Sequence, residues 1–397
     1  CYQEDHYLLD PHTAVAYASY RKSGLSKALI VSTASPFKFP KTVMGALGDE
    51  EPDDFAALKK MIAICGDNVP SQLQKALQNP TEKKKVSPQE FAKLISPRLA
   101  YEVQAPATSA NLGPGFDVMG IALSLYNTFR FAPEKADSFE GFHGEEETKD
   151  NLVLKSYHRY FDAFGLPYQP VKITQVSSDI LLSRGLGSSA SCIIAGLLGA
   201  NALSGDYLPS EKLLSLANAI EGHPDNVAPC LLGGLVASFR NDRGEVIPLR
   251  HSLSPKLGFL VLVSPQELST EKARGILPKT YPLADITYDA SRLANLPQAL
   301  QEGNLPLLEE LMEDHLHVPY RLPLIEGGER VQKAAKEAHL PFTISGAGSS
   351  LLVLYRRDEA QKKDAFVGSL KSLLKGEWRY LDLIEEKNGA KVKEVLL

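Results

Sequence analysis

The chain has 397 residues, of which 44% are hydrophobic, and this is enough for two or three packed domains. Its formal net charge of -5 gives it no general attraction to nucleic acid or to anionic membranes. It has no apolar run of about 18 residues that could span a bilayer. We therefore expect a soluble cytoplasmic protein that binds neither nucleic acid nor membrane.

The four cysteines are too few and too scattered for a disulfide framework or a zinc site. We expect free, mostly buried thiols at Cys1, Cys65, Cys192 and Cys230. The chain begins with Cys1, and no signal-peptide pattern follows it. We expect it to start inside a longer reading frame.

Residues 1–97 are predicted to form one unit. "DPHTAVAYASYRKSG" predicts a helix, "KALIVSTASPFKF" a short strand that runs into a loop, and "DDFAALKKMIAICG" an amphipathic helix. Prolines and a charge run then indicate a solvated linker. Within it, Ser87, Pro88 and Glu90 fit a capping box and predict a short helix. We place a domain boundary near residue 98.

After this boundary strands and helices are interleaved. The first half contains predicted strands at "YEVQA", "LYNTFRFA", "VKITQVSSDILL" and "GLVASFR", and helices at "NLVLKSYHRYFDAFG" and "PSEKLLSLANAIEG". The second half begins near residue 257, with strands at "LGFLVLVSP", "FTISGAGSSLLVLY" and "WRYLDLI" and helices across 284–316, 328–338 and from about 358. The order is too irregular for a doubly wound sheet. We predict an α+β fold with two two-layer halves, residues 98–256 and 257–397.

The stretch "SRGLGSSASCIIAGLLGANAL" predicts a glycine loop followed by a helix of small residues. A helix start has unpaired amides and about half a positive charge, and preceding glycines let a phosphate approach them. Taken alone, the pattern fits a tight strand-to-helix turn at least as well. It is not a Walker loop, because the chain has no Gly-Lys pair.

Three further stretches, "PATSANLGPGFDVMG", "EGHPDNVAPCLLGG" and "FTISGAGSSLLVL", occur around this loop. Together the four resemble the GHMP kinase superfamily, and "PATSANLGPGFD" and "EGHPDNVAP" resemble its homoserine kinases in particular. The resemblance covers residues 99–397. It implies a two-domain GHMP kinase fold and ATP-dependent, Mg²⁺-assisted phosphorylation of L-homoserine to O-phospho-L-homoserine in threonine biosynthesis.

The resemblance also implies roles for individual residues. Near the nucleotide it places Asn151, Arg184, Gly185, Leu186, Gly187, Ser188, Ser189, Ala190 and Ser191, with Ser188, Ser189 and Glu221 as candidate magnesium ligands. In the substrate site it places Asn111, Asp117, Asn226, Thr270, Arg274, Arg321 and Gly346. Catalysis is implied for Asn226, His223, Glu221 and Arg274. No general base is indicated.

The substrate roles are also chemically reasonable without the resemblance. An amino acid needs a carboxylate beside its ammonium and a planar donor fork beside its carboxylate, and Asp117, Arg274 and Arg321 supply both. Two alternatives stay open. One is a GHMP-fold kinase of another small alcohol, such as a mevalonate-like acid, and the other is a catalytically inactive binding protein. The sequence also leaves a homodimer open.

The N-terminal stretches "LLDPHTAVAYASYRKSG" and "STASPFKFPKTVMGALG" resemble the C-terminal end of threonine synthase, a pyridoxal-phosphate enzyme. In that family Thr33 lies near the cofactor's pyridine nitrogen, and the Schiff-base lysine lies upstream; Lys38 does not match it. We expect a partial threonine-synthase module, from a truncated bifunctional parent, fused to a complete kinase. An alternative is a remnant that serves only for packing. Pyridoxal phosphate is not expected for this chain.

Overall fold

The computed structural model divides into two compact units, residues 1–93 and 94–397. It describes residues 1–65 except His6 and Thr33, then Val69 and Leu73, then 99–142, Thr148, 150–205 and 208–396. The predicted linker, its helix at Pro88 and the loop residue Thr33 lie outside these residues. None of the described helices is both long and apolar enough to cross a membrane.

The first unit is helical in its described part. Its helices are α1 (Tyr2–Asp5), α2 (Pro11–Ser23), α3 (Pro40–Ala46) and α4 (Asp54–Cys65), with a 3-10 turn at Pro36–Lys38. The helices predicted in "DPHTAVAYASYRKSG" and "DDFAALKKMIAICG" are confirmed as α2 and α4. The small apolar core consists of Val43, Met44, Ala57 and Met61.

The short strand predicted in "KALIV" is wrong. The segment forms no strand, and Leu29 and Val31 are 91% and 71% exposed. A strand is stable only when it pairs with a neighbour, and the described residues of this unit contain no strand to pair with.

The second unit begins with a sheet built on a long hairpin. The strands of this sheet up to residue 251 are β1 (Leu99–Asn111), β2 (Gly115–Pro133), β3 (Ser138–Glu140), β4 (Val171–Ser178), β5 (Leu235–Arg240) and β6 (Val246–His251). β1 and β2 pair antiparallel, and β2 is long enough to pair with β4 near one end and β5 near the other. The hairpin turn, residues 112–114, lies between Asn111 and Asp117, which both line the cavity described below.

Helices cover one face of this sheet. They are α5 (Leu152–Phe164), α6 (Ser188–Ser204), α7 (Ser210–Glu221) and α8 (Pro224–Leu232). α6 is almost entirely buried, and its small residues allow close packing. A Cβ on Gly196 would lie 2.3 Å from the Val153 carbonyl oxygen of α5, and one on Gly199 would lie 2.6 Å from the Phe131 ring. The apolar run predicted as a helix is therefore a central core helix.

The second sheet has the antiparallel order β10-β7-β9-β8. Its strands are β7 (Leu257–Val263), β8 (Phe342–Ile344), β9 (Leu351–Arg356) and β10 (Arg379–Leu383). Every residue of β7 is buried, because Phe259 and Val261 pack in one core while Leu260 and Leu262 pack in another. Its helices are α9 (Thr270–Gly275), α10 (Leu283–Glu302), α11 (Leu305–Leu311), α12 (Val318–Arg321), α13 (Gly328–Glu337) and α14 (Ala360–Leu373).

Two features of this half differ from the sequence predictions. "FTISGAGSSLLVLY" was predicted as one strand but forms β8 and β9, because Gly346 and Gly348 adopt positive φ values of 55° and 91° and turn the chain. The last strand, β11 (Lys391–Leu396), was not predicted. It pairs antiparallel with β1, so the end of the chain forms an edge of the first sheet. The predicted α+β class is confirmed.

Candidate active site

A cavity of about 430 Å³ brings together most of the residues selected from the sequence. The predicted residues that line it are Asn111, Asp117, Asn151, Arg184, Gly185, Gly187, Ser188, Ser189, Glu221, His223, Asn226, Thr270, Arg274, Arg321 and Gly346. The three that do not line it are Leu186, Ala190 and Ser191, whose side chains are buried inside the protein.

Two positions of the glycine loop, 185 and 187, require glycine. Gly185 and Gly187 have φ values of 71° and 69°. A Cβ on Gly187 would lie 1.9 Å from Thr108 Oγ1, and one on Gly185 would lie 2.2 Å from the Ser345 carbonyl oxygen. Gly187 is the N-cap of α6, and no side chain caps the first amides of that helix. The helix N-terminus at the cavity wall therefore suits an anion such as phosphate.

Two hydroxyls and a carboxylate lie beside this helix start. Ser189 Oγ donates a hydrogen bond of 2.6 Å to Glu221 Oε2, which joins the start of α6 to the end of α7. Ser188 Oγ is buried and has no hydrogen-bond partner among the described residues. Oxygen atoms of this kind are the ligands that Mg²⁺ prefers, so the three side chains fit a magnesium ion.

The start of α8 places His223 and Asn226 at the cavity. Asn226 Oδ1 accepts a hydrogen bond of 2.8 Å from Thr108 Oγ1. His223 Nδ1 lies 2.7 Å from Asp225 Oδ1. Burial lowers the pKa of His223, but the hydrogen bond and the charge of Asp225 outweigh it, so the pKa is raised. Asp225 is a cavity residue that sequence reasoning missed, although it lies within "HPDN".

Asp117 and Arg274 were predicted to bind opposite ends of the substrate, and here they bind each other. Arg274 donates two hydrogen bonds, of 3.0 and 2.6 Å, to the two carboxylate oxygens of Asp117. Asn111 supports this loop: its Oδ1 accepts from the Asp117 amide at 3.0 Å, and its Nδ2 donates to the Gly346 carbonyl at 2.8 Å. Asp117 is thus held in position by Asn111 through its amide and by Arg274 through its carboxylate.

Arg321 is a buried cation with only carbonyl partners. It is 1% exposed, and it donates to the carbonyls of Ala273 at 3.0 Å and Gly346 at 3.2 Å. No described carboxylate forms an ion pair with it. Burial and the nearby charge of Arg274 lower its pKa to about 10. A buried guanidinium at a cavity wall is a strong binding group for an anion.

The Phe116 ring lies against both guanidinium groups, another feature that sequence reasoning missed. The ring centroid is 5.6 Å from the Cζ atom of Arg274 and 5.1 Å from that of Arg321. These contacts limit the freedom of both side chains. The signal in the sequence was weak, since Phe116 only precedes Asp117 within "GPGFD".

Three further predicted residues, Asn151, Arg184 and Thr270, line other parts of the cavity wall. Asn151 caps α5, where its Oδ1 accepts from the Val153 amide at 2.9 Å. Arg184 Nη2 donates to the Pro265 carbonyl at 3.0 Å. Thr270 is the first residue of α9.

A second group of possible metal ligands lies in the described part of the chain. It consists of Asp117, His223 and Asp225, whose ligand atoms lie within 4.8 Å of one another. Arg274 already neutralises Asp117, however.

The sequence matches two family models. Residues 151–234 match the GHMP kinases N terminal domain, and residues 298–367 match the GHMP kinases C terminal model. A homoserine kinase of Clostridium botulinum (strain Okra / Type B1) is 39% identical over 298 residues, which is 73% of this chain and 98% of the relative. One of Moorella thermoacetica is 41% identical over 259 residues, covering 64% of this chain and 87% of the relative.

Solved structures agree with this relationship. A homoserine kinase of Cytophaga hutchinsonii superimposes with a TM-score of 0.66 at 28% identity, over 79% of this chain and 100% of that one. A mevalonate diphosphate decarboxylase of Staphylococcus aureus has a TM-score of 0.57 over 74% of this chain and 98% of that one, and at 14% identity it shows only the shared fold. From its sequence identity and its fold, the chain belongs to the homoserine kinase family of the GHMP kinases.

Proposed function

We propose that this chain transfers the terminal phosphoryl group of ATP to the hydroxyl of L-homoserine, giving O-phospho-L-homoserine and ADP. The observation that carries the proposal is the buried Arg321, which has no carboxylate partner in the described part of the chain, beside the Asp117–Arg274 pair. These charges lie in the same cavity as the uncapped start of α6. A zwitterionic alcohol is the substrate class that matches this set of charges.

Homoserine would replace the internal ion pair with two new ones. Its ammonium would bind the Asp117 carboxylate, and its carboxylate would bind Arg274 and Arg321, with Thr270 as a further donor. Each charge of the substrate would then meet an opposite charge that the protein already holds in position. Because Arg321 is pre-ordered by the carbonyls of Ala273 and Gly346, little side-chain freedom is lost on binding.

The nucleotide site would extend from Asn151 along the glycine loop, with the phosphates at the amides of residues 185–191. Ser188, Ser189 and Glu221 would hold Mg²⁺. ATP and the metal supply the phosphoryl group and neutralise its charge, so the protein mainly positions the reactants. We assign Asn226 and His223 to the neighbourhood of the reacting hydroxyl. The raised pKa of His223 favours its positive form there. We propose residues 98–256 as the nucleotide-binding half and 257–397 as the second half.

We further infer that residues 1–97 are a partial threonine-synthase module from a fused parent. The inference rests on the two stretches that resemble threonine synthase, and in the structure a buried carboxylate joins these stretches. Asp10 Oδ1 accepts from the amides of His12 and Thr13 at the start of α2, while Ser32 Oγ lies 3.4 Å from Asp10 Oδ2. In threonine biosynthesis, threonine synthase is the enzyme that consumes O-phosphohomoserine.

The proposal is tested by an ADP-coupled assay with MgATP and equal concentrations of homoserine, mevalonate, galactose and shikimate. We expect turnover with homoserine and little with the others, because only homoserine has both an ammonium and a carboxylate. Equal turnover of a substrate without an amino group would favour another small-alcohol kinase. Binding of MgATP without any turnover would favour an inactive binding protein.

A further inference from the structure

Two buried carboxylates hold the backbone segment that leads into Arg321. The Asp314 carboxylate accepts hydrogen bonds from the amides of Leu316 at 2.7 Å, His317 at 3.0 Å and Val318 at 2.6 Å. Its side chain is completely buried. Leu316 and His317 directly precede α12, Val318 is its first residue, and Arg321 is its last. Asp314 therefore holds the backbone that enters the short helix that carries Arg321, including the first amide of that helix.

The amide just before these three is held by a second acid. Asp289, in the middle of α10, accepts from the His315 amide at 3.0 Å and is also buried. Burial raises the pKa of Asp289 to about 6, and the charge of Asp314 adds to this effect. Four successive amides, residues 315–318, thus point at side chains of α10 and of the segment itself. Burying two carboxylates costs desolvation free energy, and a simple surface turn does not require it.

The same segment is docked on the loop that carries the other substrate residues. The His317 ring is buried, and its Nε2–H donates to the Gly113 carbonyl at 3.0 Å. A Cβ on Gly113 would lie 2.6 Å from the Met312 carbonyl oxygen, so the two backbones are in direct contact. The ring of His317 also lies 5.4 Å from that of Phe116, which contacts the Arg321 guanidinium. The position of the segment therefore sets the position of Arg321 relative to Asp117.

We propose that Asp314 is a positioning residue for Arg321: by accepting hydrogen bonds from the amides of residues 316–318, it orients the guanidinium toward the substrate carboxylate. Asp314 does not line the cavity, so its effect must pass through the helix whose first amide it binds. This inference rests on the proposed function, because it assumes that Arg321 binds the carboxylate of homoserine. It adds a residue that touches neither substrate nor nucleotide.

The test is a double-mutant cycle with Asp314→Asn and Arg321→Ala, each followed by steady-state kinetics for homoserine and ATP. Asp314→Asn keeps the shape but removes the charge and one acceptor. We expect kcat/KM for homoserine to fall about tenfold, mostly through KM, while KM for ATP changes less than about twofold. In the Arg321→Ala background, Asp314→Asn should have an effect of less than about twofold, since its target is gone.

The matched control is Glu313→Gln, which removes a negative charge one position earlier from an exposed side chain. It should leave both KM values unchanged. Equal losses from Asp314→Asn with and without the Arg321 side chain would overturn the inference, because they would indicate only general damage to the fold. If Asp314→Asn does not fold, Asp314→Ser, which keeps a capping oxygen, replaces it in the same cycle.

The outcomes also separate this inference from the proposed function. If Arg321→Ala weakens the use of homoserine but the two substitutions are additive, only the positioning role fails. If Arg321→Ala leaves homoserine kinetics unchanged, the assignment of Arg321 to the carboxylate fails first, and the positioning role fails with it.

Discussion

At the scale of single residues, the proposed function assigns recognition of the substrate carboxylate to Arg321. Removing one partner of a desolvated charge pair typically costs about 2–5 kcal/mol, because the other charge is left buried and unpaired. Arg321→Ala should therefore weaken the use of homoserine about 30-fold or more, with little change in KM for ATP. Arg321→Lys should restore only part of the activity, since an ammonium lacks the planar fork. Steady-state kinetics measure both effects, with Arg379→Ala, at an exposed position of β10, as the control.

The substrate supplies an independent check of the same contact. A homoserine ester lacks the carboxylate charge, so the wild-type protein should strongly prefer the acid. Arg321→Ala should lose most of this preference. If both proteins distinguish acid from ester equally well, Arg321 does not bind the carboxylate, and the proposed substrate loses its main support.

A second prediction at this scale concerns the metal. Glu221→Gln keeps the size of the side chain and its contact with Ser189, but removes the negative charge that would hold Mg²⁺. We expect kcat to fall more than about tenfold at ordinary Mg²⁺, with partial recovery at high Mg²⁺. Glu211→Gln, in the first turn of the same helix, is the matched control. Activity near the wild-type level at every Mg²⁺ concentration would exclude Glu221 as a metal ligand.

At the scale of elements, the start and end of α6 provide a matched pair of glycines. Gly187 and Gly205 cap the helix with φ values of 69° and 70°, but only Gly187 has no room for a Cβ, because Thr108 occupies that space. Gly205→Ala should cost about 1 kcal/mol of unfolding free energy from backbone strain alone and leave KM for ATP unchanged. Gly187→Ala should cost more and also raise KM for ATP. Urea unfolding measures the stability of both variants, and steady-state kinetics measure KM for ATP. An unchanged KM for ATP in Gly187→Ala would mean that the glycine loop does not bind the nucleotide.

Elements with a strong local pattern were predictable from the sequence. α5 and α7 follow from apolar residues at helical spacing, and β7 from a short continuous apolar run. Pairing is less predictable because it depends on distant residues. β11 has almost no buried positions, so its pattern does not indicate a strand until β1 is available as its partner. The segment "KALIV" is the opposite case, since it has strand propensity but no partner among the described residues.

The site shows the same division. The sequence patterns and the resemblance predicted most residues that line the cavity, because the loops that carry them have distinctive glycines and prolines. They did not predict that Arg274 binds Asp117, since 157 positions separate the two residues. They also missed Asp314 and Asp289, because a lone acid on a helix or in a turn is most often exposed. Only the folded backbone shows from which amides these two carboxylates accept hydrogen bonds.

At the scale of the whole molecule, the second unit contains the described residues that line the cavity. Asn111 and Asp117 come from the β1–β2 hairpin, while Arg274, Arg321 and Gly346 come from the second half; the lining residues in the described part of the chain lie between 111 and 347. Both halves of this unit must fold together to form the site. None of the described residues that line the cavity belongs to the first unit. It has its own small core around Met44 and Met61.

The last prediction follows from this division: a protein of residues 98–397 should keep its kinase activity. We expect kcat/KM for homoserine within about threefold of the full chain, a difference below 1 kcal/mol. The contrasting deletion removes residues 391–397, and with them the pairing of β11 with β1; it should lower the melting temperature measured by circular dichroism, because β1 becomes an unpaired edge. A loss of more than about tenfold without residues 1–97 would mean that the first unit supports the kinase site.

Pyridoxal phosphate added to the full chain should give no Schiff-base absorbance. A Schiff-base band would mean that a lysine of this chain binds the cofactor after all.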